Sequence, residues 1–186
     1  MSEQKYAEML TDGWIELNNG DTVTPKRGDR YFVRLGVVNI IEMVGGTCMS
    51  FGKSTMYVTE QRGGICMSFG ESTMYNTYKR RGESRSYDVS VMNNTKQRGG
   101  ESRSYDVSVM NNTLQDGGKS RSYDVSVMNN TLQDGGECMS FNLSIMNNAK
   151  LRGGERISYN WSIMNNAEGC DWGYSSYDES VVNNAD

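Results

Sequence analysis

Arginine and aspartate recur three residues apart in three copies of one eleven-residue segment, SRSYDVSVMNN, each copy eighteen residues after the last. The pairs are Arg85 and Asp88, Arg103 and Asp106, and Arg121 and Asp124. In parallel strands like residues stand about 4.8 Å apart, a distance at which carboxylates repel by about 1 kcal/mol in water. Units with Met in place of Arg have Gly or Asn in place of Asp. We therefore expect the two rows to neutralise each other between units, although block copying or a ligand site would leave the same pattern.

Serine and asparagine rows accompany these charges. Ser86 and Ser90 keep their identity in all eight units described below, and Asn93 and Asn94 follow them. Strand alternation would place the serines and Asp88 on one flat, hydrogen-bonding face. Such a face could dock a protein, a sugar polymer or ice, whereas its structural alternative is a solvated outer wall. The predicted binding residues are Asp88, Asp106, Asp124, Arg85, Arg103, Arg121, Ser90, Ser108 and Ser126.

Signatures of catalysis are missing from the sequence. There is no histidine, which removes a common general base and metal ligand. The glycine pairs, as in RGGE, precede strands rather than helices, so they do not make a phosphate-binding loop. Carboxylates are plentiful, but nothing places one pair of them in a unique pocket for acid–base work. We predict that the protein is not an enzyme and holds no cofactor or metal ion.

The four cysteines form no CxxC pair, which argues against a zinc site. Cys48 and Cys66 are eighteen residues apart, so stacked units would place them within reach of a disulfide. In a cytosolic protein the expected state is a pair of neighbouring reduced thiols.

Charge and hydropathy narrow the partners and the location. The net charge is −4 and the isoelectric point is about 5.0, so there is no basic footprint for nucleic acid. The RSY triplets interleave a cation with an aromatic ring, as single-strand nucleic-acid surfaces do, but we expect the tyrosines inside. No apolar run approaches the ~18 residues of a membrane span, and the first ten residues lack a signal-peptide layout. We expect a cytoplasmic protein with a protein partner first and a polysaccharide second, and neither nucleic acid nor membrane.

Eight units of eighteen residues fill the chain from residue 48 onward, the last one cut short. They begin at Cys48, Cys66, Ser84, Ser102, Ser120, Cys138, Arg156 and Tyr174. Within a unit the alternation of period two predicts a strand with Tyr87, Val89 and Val91 facing inward. The place of Val89 is charged in outer units, at Lys53, Glu71 and Glu179. These charges are expected to cap the ends of a stack.

The repeat therefore predicts an all-β fold, a β-solenoid of eight 18-residue coils over residues 48–186. The alternative is an antiparallel β-meander in which VMNNTK and RGGE each close a hairpin. Residues 1–47 are expected to form an N-terminal α/β cap, with a helix from Glu3 to Leu10 and a hairpin that turns at Asn19 and Gly20. Trp172 and Glu179 are expected to plug the far end.

These features predict a non-catalytic binding or scaffold protein that presents a repeated polar face to an extended or multivalent partner. The alternative function is a phage-type inhibitor or decoy that blocks a host complex by its shape and acidic surface, and an ice-binding face is a third. Exposed aromatic residues of the tail, Tyr174 and Tyr177, together with open strand edges also suggest a homodimer.

Overall fold

The computed structural model describes residues 3–152, 155–166 and 174–184. Within these ranges two parallel sheets of ten strands each build a β-solenoid, and one helix, α1, spans Glu3–Thr11. Every coil gives one strand to each sheet, because odd-numbered strands pair only with odd-numbered ones and even with even.

The first sheet contains mostly four-residue strands. They are β1 (Ile15–Glu16), β3 (Arg30–Val33), β5 (Thr47–Ser50), β7 (Ile65–Ser68), β9 (Glu83–Ser86), β11 (Glu101–Ser104), β13 (Lys119–Ser122), β15 (Glu137–Ser140), β17 (Glu155–Ser158) and β19 (Tyr174–Ser176). The second sheet contains mostly longer strands. They are β2 (Thr22–Val23), β4 (Val37–Met43), β6 (Thr55–Gln61), β8 (Thr73–Lys79), β10 (Val91–Arg98), β12 (Val109–Asp116), β14 (Val127–Asp134), β16 (Ile145–Arg152), β18 (Ile163–Asn166) and β20 (Val181–Asn184).

The strand register places each repeated residue beside its copy in the next coil. Arg85 pairs with Arg103 in the short-strand sheet, and Met92 pairs with Met110 in the long-strand sheet. All eight 18-residue units stack in this way, which confirms the predicted solenoid and excludes the antiparallel meander. Cys48 and Cys66 are likewise register partners.

The N-terminal segment contains the predicted helix and then two further coils. Helix α1 contributes Met9 to a small apolar cluster with Phe32 and Phe51. The predicted hairpin is wrong, because β1 pairs with β3 and β2 pairs with β4, each in parallel. The turn at Asn19 and Gly20 therefore joins strands of two different sheets and closes a coil corner.

Hydrogen-bonding side chains fill most of the interior. The fully or almost fully buried side chains of one coil are Ser84, Ser86, Ser90, Met92, Asn94 and Gln97. Met92 is the apolar member of this set, and its copies form the apolar column of the core. An apolar content of 36% is therefore sufficient, since buried polar groups carry little penalty when each finds a partner.

The predicted inward orientation of Tyr87, Val89 and Val91 is wrong. Tyr87 and Val91 are half-buried and Val89 is exposed, whereas Ser86 and Ser90 are inside. The strand ends at Ser86, and Tyr87 to Ser90 form a four-residue turn closed by the Ser90 amide, which donates to the Tyr87 carbonyl oxygen at 3.2 Å. The inward–outward alternation of strand side chains does not continue through this turn, so a prediction that extends the alternation through it assigns Tyr87, Val89 and Val91 to the wrong face.

An internal ladder of asparagine amides runs along the core. Asn76 donates from Nδ2 to Oδ1 of Asn94, Asn94 to Asn112, and Asn112 to Asn130, over 2.7–2.8 Å. The ladder ends at Asn76, whose Oδ1 is buried without a partner because Val58 occupies the place one coil earlier. Each internal member both donates and accepts, so the ladder holds neighbouring coils in register.

Replacing Asn112 with Val should destabilise the protein by about 2 kcal/mol, because Asn94 would lose its acceptor and Asn130 its donor inside the core. Asn111 is the matched control, since it lies on the same strand in an outward-facing ladder and bonds to Asn93 at 2.8 Å. Water can replace that bond, so Asn111→Val should cost less than about 1 kcal/mol. Equal losses for the two variants in denaturant unfolding would contradict this account.

Candidate functional site

Aspartate rows stand at the corner turns of the coils, at a place that requires a left-handed backbone. Asp88, Asp106 and Asp124 are exposed and each has a φ of 57°. The other units place Gly52, Gly70, Asn142, Asn160 and Asp178 here, with φ between 50° and 66°. Gly, Asn and Asp are the residue types that tolerate this region best. The exchange of Asp for Gly or Asn among units therefore follows from backbone conformation.

Arginine rows lie on the outer side of the short-strand sheet, where they pair with glutamates. Arg85 pairs with Glu83, while Arg103 and Arg121 contact the Glu101 carboxylate at 2.6 and 2.7 Å. Hydrogen bonding from Arg103, with the nearby charge of Arg121, lowers the pKa of Glu101 despite its partial burial.

The predicted neutralisation of Arg by Asp is therefore wrong. Among the ion pairs of the described residues, none reaches Asp88, Asp106 or Asp124. Asp124 does accept a hydrogen bond from Asn142 in the next coil, at 3.3 Å. The aspartate row is consequently exposed at the corner of the solenoid without an arginine partner among the described residues.

Ser90, Ser108 and Ser126 are predicted binding residues that the structure places inside the solenoid. Each is fully buried. Ser90 Oγ accepts from the Tyr87 amide at 3.0 Å, donates to the Ser68 carbonyl oxygen of the preceding coil at 3.0 Å, and lies 2.8 Å from Ser86 Oγ. These serines brace the corner turns, and their burial excludes them from an outer binding face.

Aromatic rings form a continuous stack beside the turns. Its members are Phe51, Phe69, Tyr87, Tyr105, Tyr123, Phe141, Tyr159 and Tyr177, with centroids 4.8–5.1 Å apart. Ring planes turn by only 4–6° between neighbours from Phe69 to Tyr159. Each inner ring face is covered by the next ring, so the stack offers edges rather than the open faces on which nucleic-acid bases stack.

The corner turns also expose a row of apolar side chains, which we call the apolar ridge. Its members are Val89, Val107, Val125, Leu143 and Trp161, one in each of five consecutive coils, with 57–63% of each residue exposed. Charged residues continue the row at both ends. Lys53 and Glu71 precede it and lie 3.6 Å apart, and Glu179 follows it.

Two members of the apolar ridge hold an unfavourable backbone conformation. Leu143 has a φ of 57° and Trp161 a φ of 59°. This region costs an L-residue with a bulky side chain roughly 1–2 kcal/mol. Their amides donate to carbonyl oxygens of the following coil, at Asn160 and Asp178, over 3.1 Å. The chain thus keeps large apolar residues where Gly or Asn would be both less strained and more soluble.

No family model, curated protein or solved structure matches the chain.

The remaining chemistry of the described residues is limited. Burial raises the pKa of the Cys66 thiol to about 12, and it raises that of Cys48 as well. Both are buried free thiols, so neither is a ready nucleophile. Cys170 and Trp172 lie outside the described residues. Within the described ranges no three Cys, Asp or Glu side chains cluster as metal ligands, and no helix has the length and apolar character needed to cross a membrane.

Sequence reasoning missed the apolar ridge as a surface because it assigned Val89 to the core. A usable signal was present. The residue before each ridge position is Asp or Asn, and in the outer units it is Gly or Asp, a pattern typical of turns. An apolar residue directly after such a position is exposed. At this exposed place the middle coils have five apolar residues, whereas the end coils have charged residues such as Lys53 and Glu71. The surface of the middle coils is therefore apolar where that of the end coils is charged.

Proposed function

We propose that the chain is a non-catalytic binding and scaffold protein whose apolar ridge docks a protein partner. The observation that carries this proposal is the row of five exposed apolar residues in consecutive coils. Single exposed apolar residues are ordinary on protein surfaces, whereas contiguous patches rimmed by polar groups mark interaction sites. The aspartate row supplies such a polar rim along the first three members.

Backbone strain at Leu143 and Trp161 supports the same proposal. Selection for stability alone favours Gly, Asn or Asp at a left-handed position. Glu179 holds the same conformation at this place of its turn, with a φ of 56°, so it is the apolar character of Leu143 and Trp161 that calls for a partner. A large apolar residue that is strained and exposed gains nothing from the core. Such outliers cluster at functional sites, where contact with a partner offsets their cost.

Replacing both Leu143 and Trp161 with Asn should abolish docking while leaving the fold intact or more stable. Relief of the left-handed strain should raise the free energy of unfolding by up to about 1 kcal/mol per site. Tagged wild type and variant would be compared for the proteins they retain from a cell lysate. The amount of a genuine partner retained by the variant should be at least about tenfold lower than with wild type, because the variant lacks the two largest side chains of the ridge.

The matched control replaces Tyr57 and Tyr75 with Asn on the long-strand sheet. These two rings are also exposed and stack at 5.0 Å, and Asn93 occupies the same register place one coil later. The control should retain the partner at wild-type level. The purified wild-type chain and the purified partner should then bind each other in calorimetry. The same retained set for wild type, ridge variant and control would refute the docking role of the apolar ridge.

A further inference from the structure

The spacing of the apolar ridge fits another β-solenoid better than it fits a strand or a helix. Consecutive coils of parallel strands rise by about 4.8 Å, whereas side chains on one face of an extended segment recur every ~6.7 Å. Side chains on one face of an α-helix recur about every 5.4 Å, so a helix laid along the ridge would fall out of step with it by about 0.6 Å at each coil. Another solenoid matches the ridge at every coil. The ring planes of the stack beside it differ by only 4–6° from one coil to the next, which favours a ridge that winds slowly along the solenoid.

The order of charges along the row favours a second copy of this chain in the opposite direction. Read along the solenoid, the row is Lys53, Glu71, Val89, Val107, Val125, Leu143, Trp161 and Glu179. When this row is reversed and laid on itself, Lys53 meets Glu179 of the second copy. The inner members then meet in the pairs Glu71 with Trp161, Val89 with Leu143, and Val107 with Val125.

We propose that the apolar ridge pairs with the same ridge of a second copy, antiparallel, about a two-fold axis that passes between the coils of Val107 and Val125. This inference rests on the proposed function of the ridge as a protein-docking surface. A two-fold interface is self-complementary by symmetry, so both Lys53–Glu179 contacts form together at the two ends of the paired ridges.

Other alignments of the two ridges are less favourable. A parallel pair would place Lys53 beside Lys53 and Glu179 beside Glu179, like charge against like. An antiparallel pair shifted by one coil in one direction would oppose Glu71 and Glu179. The opposite shift would set Lys53 against Trp161 and leave Glu179 without an opposite charge. Both this shift and the alignment about Val107 and Val125 place Glu71 against an apolar residue, so the end charges decide between them. The alignment about Val107 and Val125 alone opposes unlike charges at its ends.

The size of the apolar ridge predicts a weak, reversible dimer. Side chains of these types bury roughly 60–120 Å² each, and Trp more, so the ridge contributes on the order of 500 Å² per copy. A stable interface usually takes about 800 Å² per partner. The two-fold also brings Asp106 level with Asp124 of the second copy, and their repulsion opposes pairing. Dissociation constants in the micromolar range are therefore expected.

Sedimentation velocity of the purified full chain across a concentration series tests the proposal through charge reversal. Lys53→Glu and Glu179→Lys should each weaken the dimer by about tenfold, because each change converts two attractive contacts into repulsive ones. The double variant Lys53→Glu with Glu179→Lys restores unlike charges and should return the dissociation constant to within about threefold of wild type. The Lys53→Glu change also adds repulsion against Glu71 within one chain, and this effect is the same in the single and the double variant.

The outcomes separate this inference from the docking proposal. Two results together support both the second-copy inference and the docking proposal. The concentration-dependent dimer is lost in the variant with Leu143→Asn and Trp161→Asn, and the double variant Lys53→Glu with Glu179→Lys restores the dimer that each single charge reversal weakens. A wild-type chain that stays monomeric at about 100 µM, well above a micromolar dissociation constant, overturns the second-copy inference. The docking proposal then stands or falls on ridge-dependent capture of a different protein. A dimer without charge rescue overturns the antiparallel alignment.

Discussion

Replacing Gly118 with Ala is expected to destabilise the solenoid by about 4 kcal/mol. Gly118 has a φ of 82°, and a Cβ there would lie 2.7 Å from the Gly100 carbonyl oxygen and 2.9 Å from the Gly99 carbonyl carbon. Both neighbours are backbone atoms of the preceding coil, so they cannot move aside as a flexible side chain would. The left-handed strain and the clash between coils therefore add.

Gly117 provides a control within the same corner. It has a φ of 68°, and a Cβ added there would meet nothing within 4 Å. Gly117→Ala should therefore cost only the conformational term, about 1 kcal/mol. Calorimetric unfolding of the two single variants would measure the difference. Losses of similar size for Gly117→Ala and Gly118→Ala would show that close coil stacking at this corner does not govern stability.

The repeat itself made the coil period, the parallel pairing and the register predictable. Parallel strands whose neighbours are copies of themselves must place like residue beside like residue, as Arg85 beside Arg103. Columns of identical amides or aromatic rings satisfy each other in that arrangement, as Asn94 and Asn112 do at 2.7 Å. Eighteen residues fit one strand, one corner, a longer strand and a glycine corner, so the coil could be inferred without its handedness.

The facing of the side chains could not be predicted from alternation alone. Serine is small enough for the interior and polar enough for the surface, so Ser86 and Ser90 gave no decisive signal. Their burial depends on partners in the turn and in the preceding coil, such as the Ser68 carbonyl oxygen. Likewise an Asn-Gly pair, as at Asn19 and Gly20, is typical of hairpins, but it also suits a corner between two parallel sheets.

The candidate site shows the same limit. Asp88, Asp106 and Asp124 were predicted as exposed, and they are, but for a conformational reason rather than a charge partner in the Arg row. The apolar ridge beside them was not predicted, because valine is usually buried and Val89 was therefore assigned to the core. The turn, with its positive φ at Asp88, shows that Val89 faces solvent, and the Asp, Asn or Gly before each ridge position is the trace of that turn in the sequence.

Lys79 is expected to make the stability of the protein depend strongly on pH. Its side chain is fully buried in the column that holds Gln61 and Gln97 in neighbouring coils. Burial lowers the pKa of Lys79 from 10.5 to about 7. Its Nζ lies 2.6 Å from the Glu101 carbonyl oxygen, 2.9 Å from Ser84 Oγ and 3.3 Å from Ser102 Oγ. The neutral amine can donate to the carbonyl oxygen while accepting from a serine.

Between pH 7 and about pH 10 the unfolded chain carries a proton on Lys79 that the folded chain lacks. Folded stability should therefore rise with pH across this window, by about 1.4 kcal/mol per unit and on the order of 4 kcal/mol in total. Below pH 7 both states are protonated, and this dependence ends. The lowered pKa thus acts as a cost of folding that is largest at and below neutral pH.

Lys79→Gln should remove the slope and stabilise the protein at pH 7 by about 2 kcal/mol. Gln fits the place, since Gln61 one coil earlier donates from Nε2 to the Glu83 carbonyl oxygen at 3.2 Å, the counterpart of the Glu101 oxygen. Denaturant unfolding of wild type and variant from pH 6 to pH 10 would measure the difference between them, in which all other titrating groups cancel. Parallel pH profiles for the two proteins would show that Lys79 stays charged in the core.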